Sequence, residues 1–224
     1  MSGVPPVSTA LLRNVPLLSL LSESELALLA RVVSRKSYVR GARILGAGDP
    51  TDSLYVLISG RIKVFMSDLD GKEVILSILG PNEFFGEMGL IDNSPRSANV
   101  VAIEPCELIC ISKPDFKRCL ADNFDMAMTV MRGLVKRLRE ADKQIGSLAL
   151  MDVFGRVARL LLETAEIVGG EKVVTKKLSK QDIARMIGAS REMVSRVMKH
   201  LQEAGYIEVR ADSIVIRDNI LLPD

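Results

Sequence analysis

A repeated stripe of apolar residues between positions 127 and 148 limits the possible folds of this chain more than any other feature. Apolar residues recur there with spacings of 4, 3, 4, 3, 4 and 3, and we call them the seam: Ala127, Met131, Leu134, Leu138, Ala141, Ile145 and Leu148. Such a repeat places its members along one narrow stripe of an α-helix, as in a two-stranded coiled coil. We therefore predict a long helix over about 114–150 that joins two copies of the chain in a homodimer. The alternative is a long helix that lies on the core of its own domain.

Short β-rich segments precede this helix, from about residue 38 to residue 112. They read SLYVLISGRIKVFM, EVILSIL, SANVVAI and CELICIS, and turn-forming segments such as GAGDP and GPNEF separate them. Several short strands with this punctuation predict a sandwich or a rolled barrel. Gly71 in DLDGK supplies a hairpin turn, and Ser22 with Glu25 forms the capping box of a short helix over 22–34.

A stretch that follows the predicted long helix, LSKQDIARMIGASREMVSRVMKHLQEAGYIEV, has the pattern of two helices joined by a tight turn. Ser179 can cap the first helix and Ser190 the second, and Gly188 lies in the turn, where a left-handed backbone costs glycine little. Four apolar residues at helical spacing predict the buried stripe of the second helix: Val194, Val197, Met198 and Leu201. The segment YIEVRADSIVIRD then alternates around RADS, which predicts a small hairpin or wing.

The other side of the second helix carries polar and charged residues that suit the major groove of DNA. Arginine can bond guanine O6 and N7, and glutamate can accept from cytosine N4, while serine and lysine suit phosphates. The residues that we expect at a DNA interface are Ser179, Gln181, Ser190, Arg191, Glu192, Ser195, Arg196 and Lys199. A helix pair with an exposed charged face and no DNA role is the alternative.

Charge is unevenly distributed along the chain. Residues 176–210 hold eight Lys and Arg against four acidic residues, a net charge of +4, although the whole chain carries only +2. A basic segment favours a nucleic acid partner, but a solvated helical face produces the same bias.

Length and composition predict a two-domain protein of the cytoplasm. The chain has 224 residues, of which 48% are hydrophobic, enough for two domains, and we divide it into 1–150 and 151–224. Its apolar runs are shorter than the roughly 20 residues of a membrane helix, and its N-terminus lacks the features of a signal peptide. Cys106, Cys110 and Cys119 have no metal-binding spacing and are expected to be buried thiols.

The segment FFGEMGLIDNSPRSANV places Glu87 among glycines and Arg96 between a proline and a serine. Arginine supplies charge-assisted donors to a phosphate, and a carboxylate accepts from a hydroxyl. Glycine lets the backbone approach a ligand closely. We therefore interpret the segment as a pocket for a cyclic nucleotide phosphate. An Arg96–Glu87 ion pair at a strand end, with no ligand, is the alternative.

These motifs resemble those of the CRP/FNR family of bacterial transcription factors over essentially the whole chain. FGEMGL followed by RSA is similar to the family's phosphate-binding cassette, LALMDV to the hinge after its dimer helix, and SREMVSRVMKHL to its recognition helix. The resemblance implies an α+β fold with an N-terminal jelly-roll-like β-roll that binds a cyclic nucleotide, a long dimerisation helix and a C-terminal winged helix-turn-helix. It also implies a transcription regulator rather than an enzyme, with double-stranded DNA and RNA polymerase as partners.

The family's ligand contacts can be carried over to single positions of the cassette. By this similarity, Arg96 pairs with the cyclic phosphate and Glu87 accepts from the ribose 2′-hydroxyl. Ser97 and the backbone near Gly86 and Met88 add hydrogen bonds.

The family's DNA contacts can be carried over in the same way. Arg191, Glu192 and Arg196 match the base-reading residues, which implies a half-site similar to TGTGA in an inverted palindrome. Ligand would favour one arrangement of the coiled coil, and the hinge at Leu150–Asp152 would pass that bias to the recognition helices.

At two positions of the dimer helix the chain departs from the cAMP-responsive pattern. Those members have neighbouring Thr and Ser that bond the adenine, the Ser from the partner chain, whereas this chain has Ala141 and Asp142. Ala141 offers no side-chain hydrogen bond, and ionised Asp142 offers only acceptors, which suit the adenine amino group or guanine N1–H and N2–H2. We expect cAMP as the effector because the cassette is intact. The alternatives are an unliganded regulator and a guanine nucleotide, either cyclic di-GMP, to which the related Clp-like branch responds, or another one.

Other chemistries of the family lack their residues here. No cysteine precedes Cys106, so the N-terminal iron–sulfur cluster of the oxygen sensors is not expected, and the only histidine, His200, lies on the recognition helix. The segment around Glu87 and Arg96 contains no identifiable nucleophile–base pair. We therefore expect no metal, haem or iron–sulfur cluster and no enzymatic activity.

Overall fold

The structure, a computed structural model, describes residues 7–175 and 178–217, and the chain divides into two units, Met1–Lys136 and Arg137–Asp224. Among the described residues, none of the helices combines the length and apolar character that a membrane crossing requires.

Two short helices open the first unit, α1 (Thr9–Arg13) and α2 (Glu23–Val32). The predicted capping box of α2 is confirmed: the Ser22 backbone N–H donates to the Glu25 carboxylate over 2.7 Å, and the Glu25 N–H donates to the Ser22 hydroxyl over 3.3 Å. Leu26 and Leu29 are the buried residues of α2, and they lie in a core that the helices share with the sheet below them.

Eight strands and one short helix follow, and the predicted β-roll is confirmed. The elements are β1 (Ser34–Tyr38), β2 (Arg43–Leu45), β3 (Ser53–Ser59), β4 (Ile62–Ser67), β5 (Glu73–Leu79), β6 (Phe84–Phe85), α3 (Met88–Asp92), β7 (Asn99–Ala102) and β8 (Cys106–Ser112). They form two four-stranded antiparallel sheets with the orders β1-β8-β3-β6 and β2-β7-β4-β5. Gly71 has φ +77° in the turn between β4 and β5, as its position in DLDGK predicts.

The period-two alternation of β3 gives the first unit two cores. Tyr55 and Leu57 lie in the core that also holds Ile62 of the other sheet. Leu54 and Val56 belong to the core that holds the helices. Strand β3 therefore connects the interior of the roll with the helical layer.

Two helices, rather than one, cover the stretch predicted as a single helix over about 114–150: α4 (Lys113–Asp122) and α5 (Phe124–Leu150). Asn123 separates them with an extended backbone, φ −135° and ψ 100°. Its side-chain oxygen accepts from the N–H of Met126 over 2.9 Å, which is the geometry of a helix N-cap. The single-helix prediction was wrong because this cap begins a new helix.

Helix α5 has two apolar faces. Met126 and Val130 are buried in the helical core of the first unit, and Leu134 packs against the same core. Four seam residues are largely exposed: Met131 (45%), Leu138 (62%), Ile145 (65%) and Leu148 (53%). The seam thus lies beside the face that α5 buries, and most of it is uncovered in a single chain.

The second unit continues from the end of α5 with three helices and four strands: α6 (Val153–Thr164), β9 (Glu166–Val168), β10 (Glu171–Val174), α7 (Lys180–Ile187), α8 (Arg191–Glu203), β11 (Ile207–Val209) and β12 (Ile214–Ile216). The strands form one antiparallel sheet with the order β11-β12-β10-β9. The predicted helix pair is α7 and α8, and β11 with β12 is the predicted wing. Val194, Met198 and Leu201 of α8 are buried in the core of this unit, and Val197 packs against it, so the predicted stripe is confirmed.

Candidate functional sites

Arg96 is a buried arginine, 6% exposed, in the loop between α3 and β7. Its Nη1 donates to the carbonyl oxygen of Gly86 and its Nη2 to that of Ser53, both over 2.7 Å. Oδ1 of Asp52 is 3.5 Å from Nη2, and the Asp52 side chain is 83% exposed. Nε of Arg96 is buried and makes no hydrogen bond to the described residues. The guanidinium is therefore fixed in direction while its charge is weakly compensated by Asp52.

The backbone of Arg96 is held as firmly as its side chain. Its N–H donates to the carbonyl of Asp49 over 2.9 Å, and its carbonyl accepts from the N–H of Gly48 over 2.8 Å. Because these bonds join the loop before β7 to the loop before β3, residues far apart in sequence form one wall around the guanidinium.

Gly86 is a position at which the backbone lies directly against the Arg96 guanidinium. Its φ is +82°, a conformation that costs other residues energy. A Cβ built on it would lie 2.5 Å from Nη1 of Arg96 and 3.4 Å from the Ser53 carbonyl oxygen. Only a residue without a side chain fits here with the guanidinium in its present place.

The other predicted cassette residues divide into a buried and an exposed group. Glu87 is 1% exposed and directly precedes α3. Met88 and Ser97 are exposed, and the Ser97 hydroxyl lies 3.8 Å from the Met88 sulfur. The structure therefore collects the cassette residues around one short helix and the loop that follows it.

Two aromatic residues near Arg96 were missed by the sequence reasoning. The Tyr55 ring lies 5.8 Å from the Arg96 guanidinium carbon and is stacked on Phe85 at 5.3 Å. A guanidinium near a ring face is stabilised by cation–π attraction. The alternation of β3 puts Tyr55 on the inner face of the roll, but the pairing of β3 with β6, which brings Phe85 beside it, has no signal in the sequence.

Ala141 and Asp142 lie on α5, and both are exposed. Neither side chain is buried within its own unit, so both are available to a group outside it. Their expected role in base recognition stays a prediction.

The predicted DNA face is formed by the starts of α7 and α8 and the outer side of α8. The Ser179 hydroxyl accepts from the Asp182 N–H over 3.0 Å, and the Ser190 hydroxyl accepts from the Met193 N–H over 3.2 Å, so both serines are N-caps. Gly188 ends α7 with φ +63°, as predicted for the turn.

The polar residues of this face are available to solvent. Seven of the eight predicted contacts are exposed: Ser179, Gln181, Ser190, Arg191, Glu192, Arg196 and Lys199. The eighth, Ser195, is half-buried. The pKa of Glu192 is lowered, chiefly by its own backbone N–H and by the Ser190 hydroxyl, so this acid is an acceptor at neutral pH. Lys176 and Lys177 of the basic segment lie outside the described residues.

Two arginines and two glutamates form an ion-pair network on the wing. Arg210 pairs with Glu208 over 2.9 Å and with Glu171 over 3.5 Å, Arg217 pairs with Glu171 over 2.8 Å, and Arg217 also contacts Glu208. The network ties β11 and the end of β12 to β10. Arg210 belongs to the basic segment 176–210, but Glu171 and Glu208 balance its positive charge locally.

The cysteines and the histidine occupy separate places. All three thiols are free, and Cys106 is buried as predicted, whereas Cys110 and Cys119 are only half-buried. His200 is exposed and meets the Phe154 ring edge-on at 5.8 Å, a contact between α8 and α6 that the sequence did not indicate. Within residues 7–175 and 178–217, no group of three or more His, Cys, Asp or Glu has a geometry that could hold a metal ion.

Comparison with known proteins matches both units. Residues 35–123 match the cyclic nucleotide-binding domain and residues 155–221 match the Crp-like helix-turn-helix domain. A CRP-like cAMP-activated global transcriptional regulator of Mycobacterium tuberculosis is 32% identical, over 88% of this chain and 89% of its own. The chain belongs to the CRP/FNR family.

Other CRP/FNR regulators agree with this assignment. The cAMP-activated global transcriptional regulator CRP of Pasteurella multocida is 36% identical, over 80% of this chain and 88% of its own. The structure of the c-di-GMP responsive global regulator CLP of Xanthomonas campestris is similar with a TM-score of 0.76 and 27% identity, over 88% of this chain and 100% of that one. As a CRP/FNR member, the chain is a DNA-binding transcription regulator and not an enzyme.

Proposed function

We propose that this regulator is a homodimer whose affinity for a palindromic DNA site is set by a cyclic nucleotide bound beside Arg96. The observation that carries the proposal is the buried guanidinium, which two backbone carbonyls orient and whose Nε makes no hydrogen bond to the described residues. A buried charge is costly unless a charged partner compensates it. An anionic phosphate is a group of that kind, and arginine binds it with charge-assisted hydrogen bonds.

The homodimer is supported by the exposed seam. Leu138 and Ile145 are 62% and 65% exposed, and large apolar side chains that recur on one stripe of a helix indicate an interaction surface. A second copy of α5 offers the same stripe, so a two-fold pair would bury both.

The DNA site would be read by α8. Arg191, Glu192 and Arg196 are exposed on its outer side, in keeping with a half-site similar to TGTGA, and a two-fold dimer reads two such half-sites as an inverted repeat. Ser179, Gln181, Ser190, Ser195 and Lys199 would contact the backbone or the groove edge. We also propose that the regulator contacts RNA polymerase and acts in the cytoplasm.

The effector that we propose is cAMP. The cassette residues Gly86, Glu87, Arg96 and Ser97 are all present, and two relatives at 32% and 36% identity are described as cAMP-activated. Ala141 and Asp142 favour a second candidate, cyclic di-GMP, because Asp142 can accept from guanine and the similar Xanthomonas regulator is described as c-di-GMP responsive.

Calorimetry of the purified protein against cAMP, cGMP and cyclic di-GMP tests the effector. We expect saturable binding of cAMP, together with tighter binding of a fluorescent DNA that carries two TGTGA half-sites. Binding of cyclic di-GMP alone would favour the second candidate, and no binding of any of the three would refute a cyclic nucleotide effector. Replacing Ala141 with Thr and Asp142 with Ser should tighten cAMP binding if these positions contact the base.

Arg96→Ala tests the pocket. It should abolish the calorimetric signal, and because the change also removes two hydrogen bonds from a charged donor, we expect it to lower the free energy of unfolding by about 1–3 kcal/mol. Arg43→Ala is the matched control, since Arg43 is an exposed arginine near the same wall that pairs with Asp49 over 3.3 Å. If Arg96→Ala and Arg43→Ala bound the ligand with equal affinity, the phosphate would not bind beside Arg96.

A further inference from the structure

The last turn of α5 touches the turn of the helix-turn-helix directly. A Cβ placed on Gly188 would lie 3.1 Å from Cδ2 of Leu148. A side chain at position 188 would therefore crowd the Leu148 methyl group, which occupies the space beside the Gly188 backbone. Glycine at this position permits the contact.

Gly188 is coupled rigidly to the recognition helix. It closes α7 with its N–H bonded to the carbonyl of Ala184, and the Ala189 N–H bonds to the same carbonyl over 3.0 Å. Ser190 then caps α8, and Ile187 and Val194 on either side of the turn lie in one core. A displacement of the turn therefore moves α8 as well, because no flexible loop separates the two.

Arg156 of α6 holds the same turn from a second direction. Its Nη1 donates to the carbonyl oxygen of Ile187 over 2.7 Å and would lie 3.8 Å from a Cβ on Gly188. The last carbonyls of a helix lack partners within it, and a cation there is favourable. Helix α6 is capped by Asp152, whose carboxylate accepts from the Gly155 N–H over 2.8 Å. The turn is thus fastened on one side by α6, and α5 meets it through Leu148.

Leu148 also belongs to the seam, of which it is the last residue. Its side chain is 53% exposed, so it retains a free surface while touching the turn. A partner helix that closes the seam to its end would contact this remaining surface and restrict the rotamer of Leu148. One side chain would then bear on the dimer contact and on the turn before α8.

We propose that Leu148 is a positioning residue that transmits the state of the seam to the recognition helix through Gly188. The proposal rests on the ligand-responsive homodimer of the preceding subsection. It predicts that shortening Leu148 uncouples DNA affinity from ligand without removing ligand binding or the dimer.

The test compares Leu148→Ala with Ile145→Ala in the full-length protein. Each variant shortens one exposed seam residue, but Leu148 is the one whose side chain meets Gly188. Sedimentation sets a protein concentration at which both variants are dimers, and calorimetry measures cAMP binding. DNA affinity is then measured by fluorescence anisotropy with and without saturating cAMP.

We expect Leu148→Ala to bind cAMP within about twofold of wild type. The ratio of its DNA dissociation constant without cAMP to that with cAMP should fall at least fivefold, a change within the usual range of allosteric coupling. Ile145→Ala alters the seam but not the contact with Gly188, so it should lower this ratio by less than about twofold.

Leu148→Met is the rescue variant, because a similar apolar side chain can reach the turn again, and it should restore most of the ratio. An unchanged ratio in Leu148→Ala, or an equal fall in Ile145→Ala, would overturn the proposal.

If the wild type shows no response to cAMP, the effector proposal fails. The role of Leu148 is then decided by ligand-free DNA affinity: a change of at least threefold in dimeric Leu148→Ala, absent from Ile145→Ala, supports it, and no change overturns it.

Discussion

Nη1 of Arg96 lies 2.7 Å from the carbonyl oxygen of Gly86 and 2.5 Å from the point at which a Cβ of residue 86 would stand. The guanidinium occupies the space that the missing side chain leaves. The glycine and the arginine of the cassette are therefore one unit, and a change at either position alters the other.

Gly86→Ala should weaken effector binding about tenfold or more, because the new methyl group displaces the guanidinium and a hydrogen bond to a charged group is worth roughly 1.5–3 kcal/mol. The left-handed backbone adds strain of order 1–3 kcal/mol to the folded state. Calorimetry measures the first effect and urea unfolding the second.

Gly71→Ala separates strain from displacement. Gly71 has a similar φ of +77°, but a Cβ there would meet no atom within 4 Å, so this variant should lose stability and keep its affinity for the effector. An equal loss of affinity in both variants would contradict the role given to Gly86.

Leu138→Ser should raise the dissociation constant of the dimer by roughly 100-fold or more. Burial of a leucine is worth about 1.5–3 kcal/mol, and a two-fold dimer loses two of them. Sedimentation equilibrium measures this constant. Lys143→Ser, an exposed residue of the same helix outside the seam, should leave it nearly unchanged. A stable Leu138→Ser dimer would show that the copies associate through another surface.

Arg191→Ala should cost about 1–3 kcal/mol on the preferred DNA and relax selection at a single base pair. Lys199→Ala should instead weaken binding to all sequences alike and lower the slope of log K against log salt by about one. Competition assays with single-base variants of the site, repeated at several salt concentrations, distinguish the two. A uniform loss for Arg191→Ala would make it a phosphate contact.

The ion-pair network of the wing should loosen in acid. The pKa of Glu208 is lowered from its ordinary value of 4.5, first by its hydrogen bond with Arg210. Because the folded-state pKa is lowered, the stabilisation is complete above pH 4.5 and is lost as the pH falls through the lowered value. The protection factors of the β11 and β12 amides, which compare the observed exchange rate with the intrinsic rate at the same pH, should therefore fall below pH 4.5.

Glu208→Gln is the control for this pH dependence. It removes the titrating carboxylate of residue 208, so the acid-dependent loss of amide protection should be smaller in this variant. The same loss at full size in the variant would assign it to another group.

The sequence predicted the parts of this fold that depend on local spacing. Seam spacing is a property of one helix, and the caps at Ser22, Ser179 and Ser190 involve residues three positions apart, so neither needs the tertiary fold. The break at Asn123 was equally local, but its cap was overlooked because apolar residues continue on both sides of it.

The surroundings of Arg96 could not be predicted in this way. Ser53, whose carbonyl accepts from it, is 43 residues away in the sequence, and the register between strands brings the two together. The aromatic pair Tyr55–Phe85 depends on the same pairing. The sequence named the charged residue of the site, while the residues that orient it are determined by sheet topology.

The first residues of α5 have a consequence for dissecting the molecule. The segment that matches the cyclic nucleotide-binding domain ends at residue 123, yet Met126 and Val130 complete the core beneath the sheet. A fragment cut at the domain match would leave that apolar surface open to water and prone to self-association. Ligand binding by the isolated β-roll is therefore best studied in a fragment that extends past Leu134.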